Sequence, residues 1–586
     1  MRNEEVARIL YEVSEYLAMQ NVAFKPRAYE KASQAIADLE EEVSDIYKKG
    51  GLKALTQIPG VGVSIAEKIE ELLKTGKLKY HQELKKKTPV NLSQFIGIEG
   101  LGPKKIKKLH QELGIKSIVD LEKAAKAGKI RDLATFGLKS EENILKGIEF
   151  QKKHTGRFLL GYIFPIAKTI EERLAGLNGV EEVAIAGSYR RWKETVGDLD
   201  LLVVSRKPKE VMAYFISQPE VARVLAHGKT KSSITLQNGM DVDIRVVEAK
   251  SYGAALAYFT GSKDHNVAMR IIAQKKGWKL NEYGLFSGEK PALKGRGSPN
   301  KVGRQIAGKT EEELYKKLGL TYVEPEMREN WGELELSAKN KLPKLVGVSD
   351  LQGDLQVQSN WSDGADSIKE LAEAAAERGL KYILITDHTQ RLAMTNGLNV
   401  KRLREQGKEI DRVNKEMKGK ITVLKGTECD ILKDGSMDLP DTALKELDIV
   451  GASIHSYFNL PRREQTERLM RVMRNPNVDI ILHPTGRLIN KRGPCDFDID
   501  EVIETAKKTG TVMEIDSFPD RLDLKDEYIK KCVEVGVKMV ISSDAHHTHH
   551  FDYLELGVAQ ARRGWAAKSD IINAWPLERM KSFLKK

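Results

Sequence analysis

The sequence predicts a multidomain fold with three parts: a helical region, an α+β region and a seven-stranded, distorted β/α barrel. At 586 residues the chain is longer than one hydrophobic core supports. Residues up to about 150 show a helical, Lys/Glu-rich pattern broken by glycine turns, and short β runs alternate with helices up to about 320. From about 340, seven apolar β runs are mostly separated by amphipathic helices, which is the alternation of a parallel barrel.

Composition limits the classes of protein to be considered. The net charge of +12 fits a polyanionic partner, although charge alone does not separate nucleic acid from a merely basic surface. The three cysteines, Cys429, Cys495 and Cys532, are too few and too scattered for a disulfide framework or a zinc knuckle. The amino terminus reads as an acidic amphipathic helix, and no apolar run reaches membrane-spanning length. We therefore expect a cytoplasmic, monomeric protein that is neither secreted nor embedded in a membrane.

The helical region contains a local repeat. Residues 55–69, LTQIPGVGVSIAEKI, and residues 95–109, FIGIEGLGPKKIKKL, both place Gly-x-Gly before a helix. In a helical hairpin, such a turn directs backbone N–H groups and the positive end of the helix dipole outward, where they hold a phosphate. Lys104, Lys105, Lys107 and Lys108 add charge next to the second copy. The alternative interpretation is two tight helix connections with a solvated lysine face.

Paired aspartates characterise the middle region. In AGSYRRWKETVGDLDLLVV, Asp198 and Asp200 are two residues apart and share one face of a strand, and MDVDIRVV offers Asp241 and Asp243 in the same way. Three converging carboxylates are what two Mg²⁺ ions need to bind a nucleoside triphosphate and assist attack by a hydroxyl group. Aspartate is common beside turns, so GDLD alone is weak evidence. The preceding Gly-Ser turn and its two arginines, at 187–191, strengthen it as a triphosphate cradle.

Most of the later β runs of the third region end in His, Asp or Glu, so these side chains collect at the carboxyl ends of barrel strands. This series predicts a cluster of two or three metal ions. Its members are Asp363, His388, Glu428, His455, His483, Asp544 and His546. His547, His549 and His550 follow the last run, and we expect them in a solvated loop. The first run, GDLQVQ, carries Gln356 and Gln358 on one face, and amides are poor ligands for a divalent metal.

These motifs together resemble known families. The repeats at 55–69 and 95–109 resemble helix-hairpin-helix motifs, and the GS and GDLD elements resemble the nucleotidyltransferase superfamily. Residues 257–286, AYFTGSKDHNVAMRIIAQKKGWKLNEYGLF, are similar to the nucleotide-binding segment of family X DNA polymerases. The third region resembles the polymerase and histidinol phosphatase (PHP) domain that many bacterial and archaeal members carry. The implied organisation is a lyase-like helical domain at 1–85, a second helical DNA-binding subdomain at 86–150, a palm at 151–262, a thumb at 263–322, a linker at 323–342 and a PHP barrel at 343–586.

The resemblance implies roles for individual residues of the polymerase part. Asp198, Asp200 and Asp243 would be the catalytic ligands of Mg²⁺ or Mn²⁺, with Asp243 preferred to Asp241 because the family pattern reads Asp-Ile-Arg. The implied deoxynucleotide contacts are Gly187, Ser188, Arg191, Tyr258, Phe259, Gly261, Asn266 and Arg270. The implied DNA contacts are Gly60, Gly62, Gly100, Gly102, Lys104 and Lys105. A Na⁺ or K⁺ ion would be held by carbonyls of Thr56, Ile58 and Val61, and of Ile96, Ile98 and Leu101. For Tyr258 and Phe259, ordinary core packing is the alternative.

The resemblance also raises two further activities. Lys68 matches the lysine that forms a Schiff base with an abasic sugar in members with a lyase domain, although a solvated lysine beside a DNA-binding turn would look the same. In the barrel, the family pattern begins with His-x-His, where this chain has Gln356 and Gln358, and it usually has Asn at Asp516. We therefore expect fewer than three Zn²⁺ or Mn²⁺ ions, and little or no 3′–5′ exonuclease activity. One ion would use Glu428, His455 and His483, and another Asp363, His388 and Asp544 or His546.

The sequence thus predicts a DNA-directed DNA polymerase of family X that adds deoxynucleotides to primer ends at short gaps during base excision or gap repair. Its partners would be gapped or primer-template DNA and deoxynucleoside triphosphates. One alternative is a metal-dependent phosphoesterase that the first 320 residues deliver to DNA. Another is a template-independent nucleotidyltransferase.

Overall fold

The computed structural model describes residues 3–20, 22–37, 39, 42–88, 90, 95, 98, 101–154, 156–287, 303–391 and 395–584. The chain forms two compact units. The first contains Met1–Thr155 with Leu488–Gly493, and the second contains Gly156–Arg487 with Pro494–Lys586. The predicted thumb and most of the predicted palm and barrel therefore belong to one unit.

The amino-terminal part of the first unit is helical over the residues that the structure describes, as the sequence predicts. Its helices are α1 (Asn3–Met19), α2 (Lys25–Ala37), α3 (Val43–Leu55), α4 (Val63–Thr75), α5 (Lys79–Lys87), α6 (Pro103–Leu113), α7 (Ile118–Lys126) and α8 (Leu138–His154). Apolar residues at helical spacing bury one face of each helix in a common core, for example Leu10, Leu17 and Leu72. Ser117 begins α7 with a capping box that includes Asp120.

The second unit begins with a five-stranded mixed sheet in the order β2-β4-β7-β6-β5. Its strands are β2 (Val180–Ile185), β4 (Asp198–Ser205), β5 (Val221–His227), β6 (Lys231–Leu236) and β7 (Asp241–Val246), and a short pair is formed by β1 (Phe158–Leu159) and β3 (Thr195–Val196). The accompanying helices are α9 (Leu160–Ala175), α10 (Gly187–Arg190) and α11 (Pro208–Ile216). Within this sheet β4 and β7 run parallel, so both carboxylate-bearing strands begin at the same edge.

The predicted thumb contains a three-stranded sheet packed with helices. Its elements are α13 (Lys263–Lys275), β8 (Trp278–Asn281), β9 (Gly284–Ser287), β10 (Gln305–Ala307) and α14 (Glu311–Leu318). They are flanked by α12 (Tyr252–Thr260), at the end of the predicted palm, and by α15 (Glu333–Ala338), in the predicted linker. The segment 323–342, expected as a linker, packs its Val323, Met327 and Leu334 side chains into the core of these elements. The polar composition of this segment did not indicate that it is packed. Its charged side chains can be buried because they are paired within the protein, as Arg328 and Glu333 are.

The remaining chain forms the predicted barrel, with seven parallel strands in sequence order. The strands are β11 (Gly353–Val357), β12 (Tyr382–Ile385), β13 (Thr422–Asp430), β14 (Ile449–Ser453), β15 (Ile480–Ile481), β16 (Val512–Asp516) and β17 (Met539–Ser542). The helices are α16 (Ile368–Glu377), α17 (Val400–Glu416), α18 (Asp441–Leu444), α19 (Arg462–Met473), α20 (Ile499–Thr509), α21 (Asp526–Val535), α22 (Leu554–Arg563) and α23 (Leu577–Leu584). Six strands, all except β13, are buried along their whole length, with both faces covered.

The barrel is nearly closed between its first and last strands. Val357 pairs in parallel with Ala545, and the Gln358 backbone N–H donates a 2.7 Å hydrogen bond to the Ala545 carbonyl. This closure brings Gln356 and Gln358 into the ring of strand ends that carries the predicted metal ligands. Among the described residues, no helix has the length and apolar character needed to cross a bilayer.

Candidate active sites

The aspartates of β4 and β7 lie side by side at the edge of the first sheet. The parallel register pairs Asp198 with Asp241 and Asp200 with Asp243. Burial and the neighbouring charges of Asp198 and Asp243 together raise the pKa of Asp200 to about 6. A divalent cation would relieve this repulsion, so the donor set fits magnesium or manganese.

The two candidates for the third carboxylate have different surroundings. Asp241 Oδ1 accepts a 2.7 Å hydrogen bond from the Thr235 hydroxyl, whereas Asp243 Oδ2 lies 3.2 Å from Lys231 Nζ. Asp243, unlike Asp241, is among the charges that shift the pKa of Asp200. This favours Asp243 as the partner of Asp200.

The Gly-Ser turn meets these carboxylates at Gly187, where α10 begins. Gly187 has a φ of +67°, and a Cβ there would lie 3.4 Å from Asp200 Oδ2. The backbone N–H of Ala186 donates to the Asp200 carbonyl at 2.7 Å, which fixes the turn against β4. Only glycine accommodates both the left-handed backbone and the close carboxylate without strain. The helix start and Ser188 therefore lie next to the predicted metal site.

Both arginines after this turn are engaged by glutamates that sequence reasoning did not single out. Arg190 makes a bidentate pair with Glu311 at 3.0 and 2.7 Å, and Arg191 Nε lies 3.1 Å from Glu329 Oε1. Arg191 also donates to the Thr260 carbonyl. These contacts fix both guanidinium groups beside the turn.

Glu311 is the centre of a buried charge network. Arg328, which is almost completely buried, also contacts both carboxylate oxygens of Glu311, at 2.6 and 3.2 Å. Burial alone would raise the pKa of Glu311, but the two arginines lower this pKa to about 2. The network joins α10 of the palm to α14 of the thumb. Its sequence signal is weak, since a glutamate in the first turn of a helix is ordinarily a dipole partner.

The implied sugar and base contacts lie together on α12 and α13. Tyr258, Asn266 and Arg270 line one small cavity, and the Asn266 amide donates to the Tyr258 carbonyl at 2.7 Å. Tyr258 is 41% exposed, which speaks against pure core packing, whereas Phe259 lies against the Arg245 guanidinium. Gly261 has a φ of +74° and packs near Arg191.

The hairpin turns have the same backbone arrangement in the parts that are described. Gly62 and Gly102 are extended N-cap residues of α4 and α6, and the N–H groups of Val61 and Leu101 donate to the carbonyls of Ile58 and Ile98 at 3.0 and 3.1 Å. Thr56 is half-buried. The glycines at 60, 62 and 102 and Lys104 are exposed, and Lys105 lies over the Phe136 ring. Ile96 and Gly100 lie outside the described residues.

Lys68, the candidate lyase residue, lies on α4 directly after the first turn. Its Nζ donates to the carbonyl and the hydroxyl of Ser64 at 3.0 Å each, and it sits 5.2 Å from the centre of the Tyr80 ring. Tyr29 stacks against the same tyrosine. The amine thus lies on an aromatic surface near a hairpin turn.

Two groups of barrel side chains have the spacing of metal ligands. They are Asp363, His388 and His546, and His388, Glu428 and His455. The first matches the expected group, and in the second His388 takes the place expected for His483. His483 Nε2 instead lies 2.7 Å from Glu428 Oε1. Burial alone would raise the pKa of Glu428, but His388 and His455 hold this pKa well below its ordinary value. Both groups fit Zn²⁺ or Mn²⁺.

The position where the family has its first metal is occupied by protein groups. The Gln356 and Gln358 amides donate to Glu428 Oε2 at 3.1 and 2.8 Å. Arg521 Nε lies 3.5 Å from Asp516 Oδ2 and 3.6 Å from Asp544 Oδ2. Donors thus face part of the carboxylate cluster, while the side-chain carbonyl oxygens of Gln356 and Gln358 have no hydrogen-bond partner among the described residues. Because amide oxygens are weaker ligands than imidazole, this set of residues fits a third ion poorly.

Sequence reasoning missed several members of this centre. His455 Nδ1 contacts Asp430 Oδ1 at 2.6 Å, so Asp430 orients a ligand histidine. Glu514 accepts from the His483 backbone N–H at 2.6 Å. His550, expected in a solvated loop, is instead buried and stacks on Tyr553, because residues 548–553 form a short helix over the barrel. The alternation in TECD and MEID could have indicated Asp430 and Glu514.

Four family models match the chain. They are a helix-hairpin-helix domain over residues 1–78, a SAM-like helix-hairpin-helix tandem over 92–149, a DNA polymerase beta thumb over 255–329 and a PHP domain over 354–481. The class of protein follows from three features together: helix-hairpin-helix modules, a carboxylate-bearing sheet with a polymerase thumb, and a PHP barrel. This class is a DNA-binding nucleotidyltransferase with an attached metal-binding barrel.

Relatives agree with this class. The DNA polymerase/3′-5′ exonuclease PolX of Bacillus subtilis (strain 168) is 38% identical over 589 aligned residues that cover 100% of both chains. DNA polymerase lambda of Arabidopsis thaliana is 26% identical over 47% of this chain and 53% of its own. A probable phosphatase of Thermoanaerobacter sp. (strain X514) is 30% identical over 37% of this chain and 88% of its own. The chain belongs to the family X DNA polymerases that carry a PHP domain.

Proposed function

We propose that this DNA polymerase fills short gaps in DNA, as in base excision repair, by two-metal catalysis at Asp198, Asp200 and Asp243. The observation that carries the proposal is the register of β4 and β7, which sets these carboxylates side by side next to the Gly187 turn. Bound magnesium ions would neutralise the triphosphate and lower the barrier to attack by the primer hydroxyl.

The surrounding residues supply binding and orientation. The Gly187 N–H and the Ser188 hydroxyl hold the triphosphate at the start of α10, and Arg191 adds a charge-assisted contact. Tyr258 and Phe259 lie against the deoxyribose and disfavour a 2′-hydroxyl, while Asn266 and Arg270 reach the base and the template side. These roles are supported by the shared cavity of Tyr258, Asn266 and Arg270.

The hairpins hold the DNA backbone without reading sequence. Gly62 and Gly102 provide no side-chain cap for the N–H groups at the start of α4 and α6, which favours phosphate there. In α6 these N–H groups begin at Lys104, because the first helical residue is Pro103. The carbonyls of Ile58 and Ile98 keep one lone pair beyond their backbone hydrogen bonds, which fits a monovalent ion between turn and phosphate.

The barrel binds at most two metal ions and has little or no exonuclease activity. Arg521 and the two glutamine amides supply the positive charge and donors that balance Glu428, Asp516 and Asp544, so a first ion would meet donors instead of ligands. Without that ion the site loses part of the charge that binds a scissile phosphate and activates water.

The intact pair of ligand groups favours one second candidate, a metal-dependent phosphoesterase delivered to DNA. Gap-filling on a substrate with a single templating base separates the candidates. Addition of only the complementary nucleotide supports the polymerase. Addition of any nucleotide indicates a template-independent transferase, and metal-dependent shortening of the primer without extension indicates the phosphoesterase.

A further inference from the structure

A barrel arginine reaches into the polymerase site. Arg563, the last residue of α22, is 1% exposed, and its Nη1 donates a 2.6 Å hydrogen bond to the main-chain carbonyl of Arg191. Arg191 is the C-cap of α10, the helix that begins at the Gly-Ser turn. Carbonyls at a helix end lack partners within the helix, and a cation is a favourable one. Arg563 thus fixes the far end of the four-residue helix at the triphosphate site.

A second connection runs through a carboxylate. Glu329 Oε1 lies 3.2 Å from Arg563 Nη1 and 3.1 Å from Arg191 Nε, so one oxygen joins the two guanidinium groups. The Arg563 guanidinium is anchored in the barrel by Asp526 Oδ2, at 3.0 Å from Nε and 2.5 Å from Nη2. A continuous series of ion pairs therefore runs from α21 to the palm. Its members are Asp526, Arg563, Glu329 and Arg191.

This series of ion pairs constrains Arg191 in two places, its backbone carbonyl and its guanidinium. Because the pairs are buried, their geometry is set by hydrogen bonds and not by mobile solvent. Packing supports the same contact, since a Cβ on Gly161 of the palm would come within 2.7 Å of Pro519 and 2.9 Å of Leu556 in the barrel. The palm and the barrel thus meet without room for sliding.

We propose that Arg563 is a positioning residue for nucleotide addition, through which the PHP barrel holds Arg191 in place for the incoming triphosphate. The inference rests on the proposed triphosphate contact of Arg191. It assigns the barrel a part in nucleotide binding that does not depend on its metal centre.

The test is steady-state gap filling by the full-length protein, with Arg563→Gln as the main variant. We expect KM for the deoxynucleotide to rise about tenfold with a smaller change in kcat, because the loss concerns ground-state binding of the triphosphate. Arg562→Gln is the matched control. Arg562 is the preceding residue of the same helix and pairs with Glu326 at 2.7 Å, away from α10. Its KM should stay unchanged.

A double-mutant cycle separates positioning from general damage. If Arg563 acts through Arg191, Arg563→Gln should change KM by less than about twofold in an Arg191→Ala background. An equal rise in both backgrounds, or no rise in the native one, would overturn the proposal.

If Arg563→Gln unfolds, Glu329→Gln tests the same series of ion pairs, and an unchanged KM in that variant counts equally against the proposal. If Arg191→Ala itself leaves KM unchanged, the triphosphate assignment fails, and the positioning role fails with it. If Arg191→Ala raises KM while the other two variants do not, the positioning role alone is wrong.

Discussion

The Gln358 side-chain amide donates a 2.8 Å hydrogen bond to Glu428 Oε2, in the centre of the barrel. A ligand at this position would offer a lone pair to a metal, whereas the amide N–H satisfies the carboxylate directly. Internal donors thus balance this carboxylate, which supports the proposal that the barrel holds one ion fewer than the family pattern.

Restoring the histidines should restore the ion. After dialysis against metal-free buffer, we expect the natural full-length protein to retain no more than about two Zn²⁺ or Mn²⁺ ions, and Gln356→His with Gln358→His to retain about one more. Elemental analysis measures this directly, and Gln352→His, at a half-buried position before the same strand, is the control. Three ions in the natural protein would contradict the assignment.

The Glu311 network should dominate the stability of the palm and thumb. Glu311→Gln leaves two arginines without their carboxylate, and we expect a loss of about 3–5 kcal/mol in the free energy of unfolding at pH 7. Urea unfolding measures this, with Glu312→Gln as an exposed neighbour for control.

The same pair of proteins gives a pH test. Because the folded pKa of Glu311, about 2, lies below its ordinary value of 4.5, the ionised carboxylate stabilises the protein above pH 4.5. That stabilisation is lost as the pH falls towards the folded value. The difference in the free energy of unfolding between the natural protein and Glu311→Gln should therefore shrink below pH 4.5. A difference that stays constant would show that the charge of Glu311 is unimportant.

The hairpins should contribute salt-dependent, sequence-independent affinity. Lys104→Ala should weaken DNA binding on every sequence and reduce the slope of log affinity against log salt by about 1, because one phosphate contact is lost. Lys126→Ala, whose amine pairs with Glu122 at 2.9 Å, is the control and should change little. Losses that vary strongly with base sequence would argue for base readout instead.

Lys68 can be tested by trapping. If its neutral amine attacks the aldehyde carbon of an abasic sugar and water leaves, borohydride reduces the resulting imine to a stable adduct. Lys68→Ala should then lose most of the adduct, while Lys74→Ala, which removes the partner of Glu70, should retain it. Equal adduct from Lys68→Ala would assign the chemistry to another amine.

Sequence predicted best what depends on local periodicity. The seven barrel strands and the register of the paired aspartates follow from apolar runs and a period of two. Strand ends also indicated the side chains that form the two candidate metal groups. The contacts that fix the arginines escaped detection because they join distant segments. Arg190 and Glu311 are 121 residues apart, and Arg563 and Arg191 are 372 apart. Arg521 was missed because an arginine beside carboxylates carries no periodic signal.

We propose that nucleotide addition depends on the carboxylates of β4 and β7, and primer extension on gapped DNA measures this dependence. Asp243→Asn should abolish extension while DNA affinity stays near that of the natural protein, because a ligand of the catalytic ions is lost and the hairpins are untouched. Asp241→Asn, on the same face of the same strand, should retain most activity, since its carboxylate is held by Thr235. Extension by Asp243→Asn at the natural rate would contradict the account.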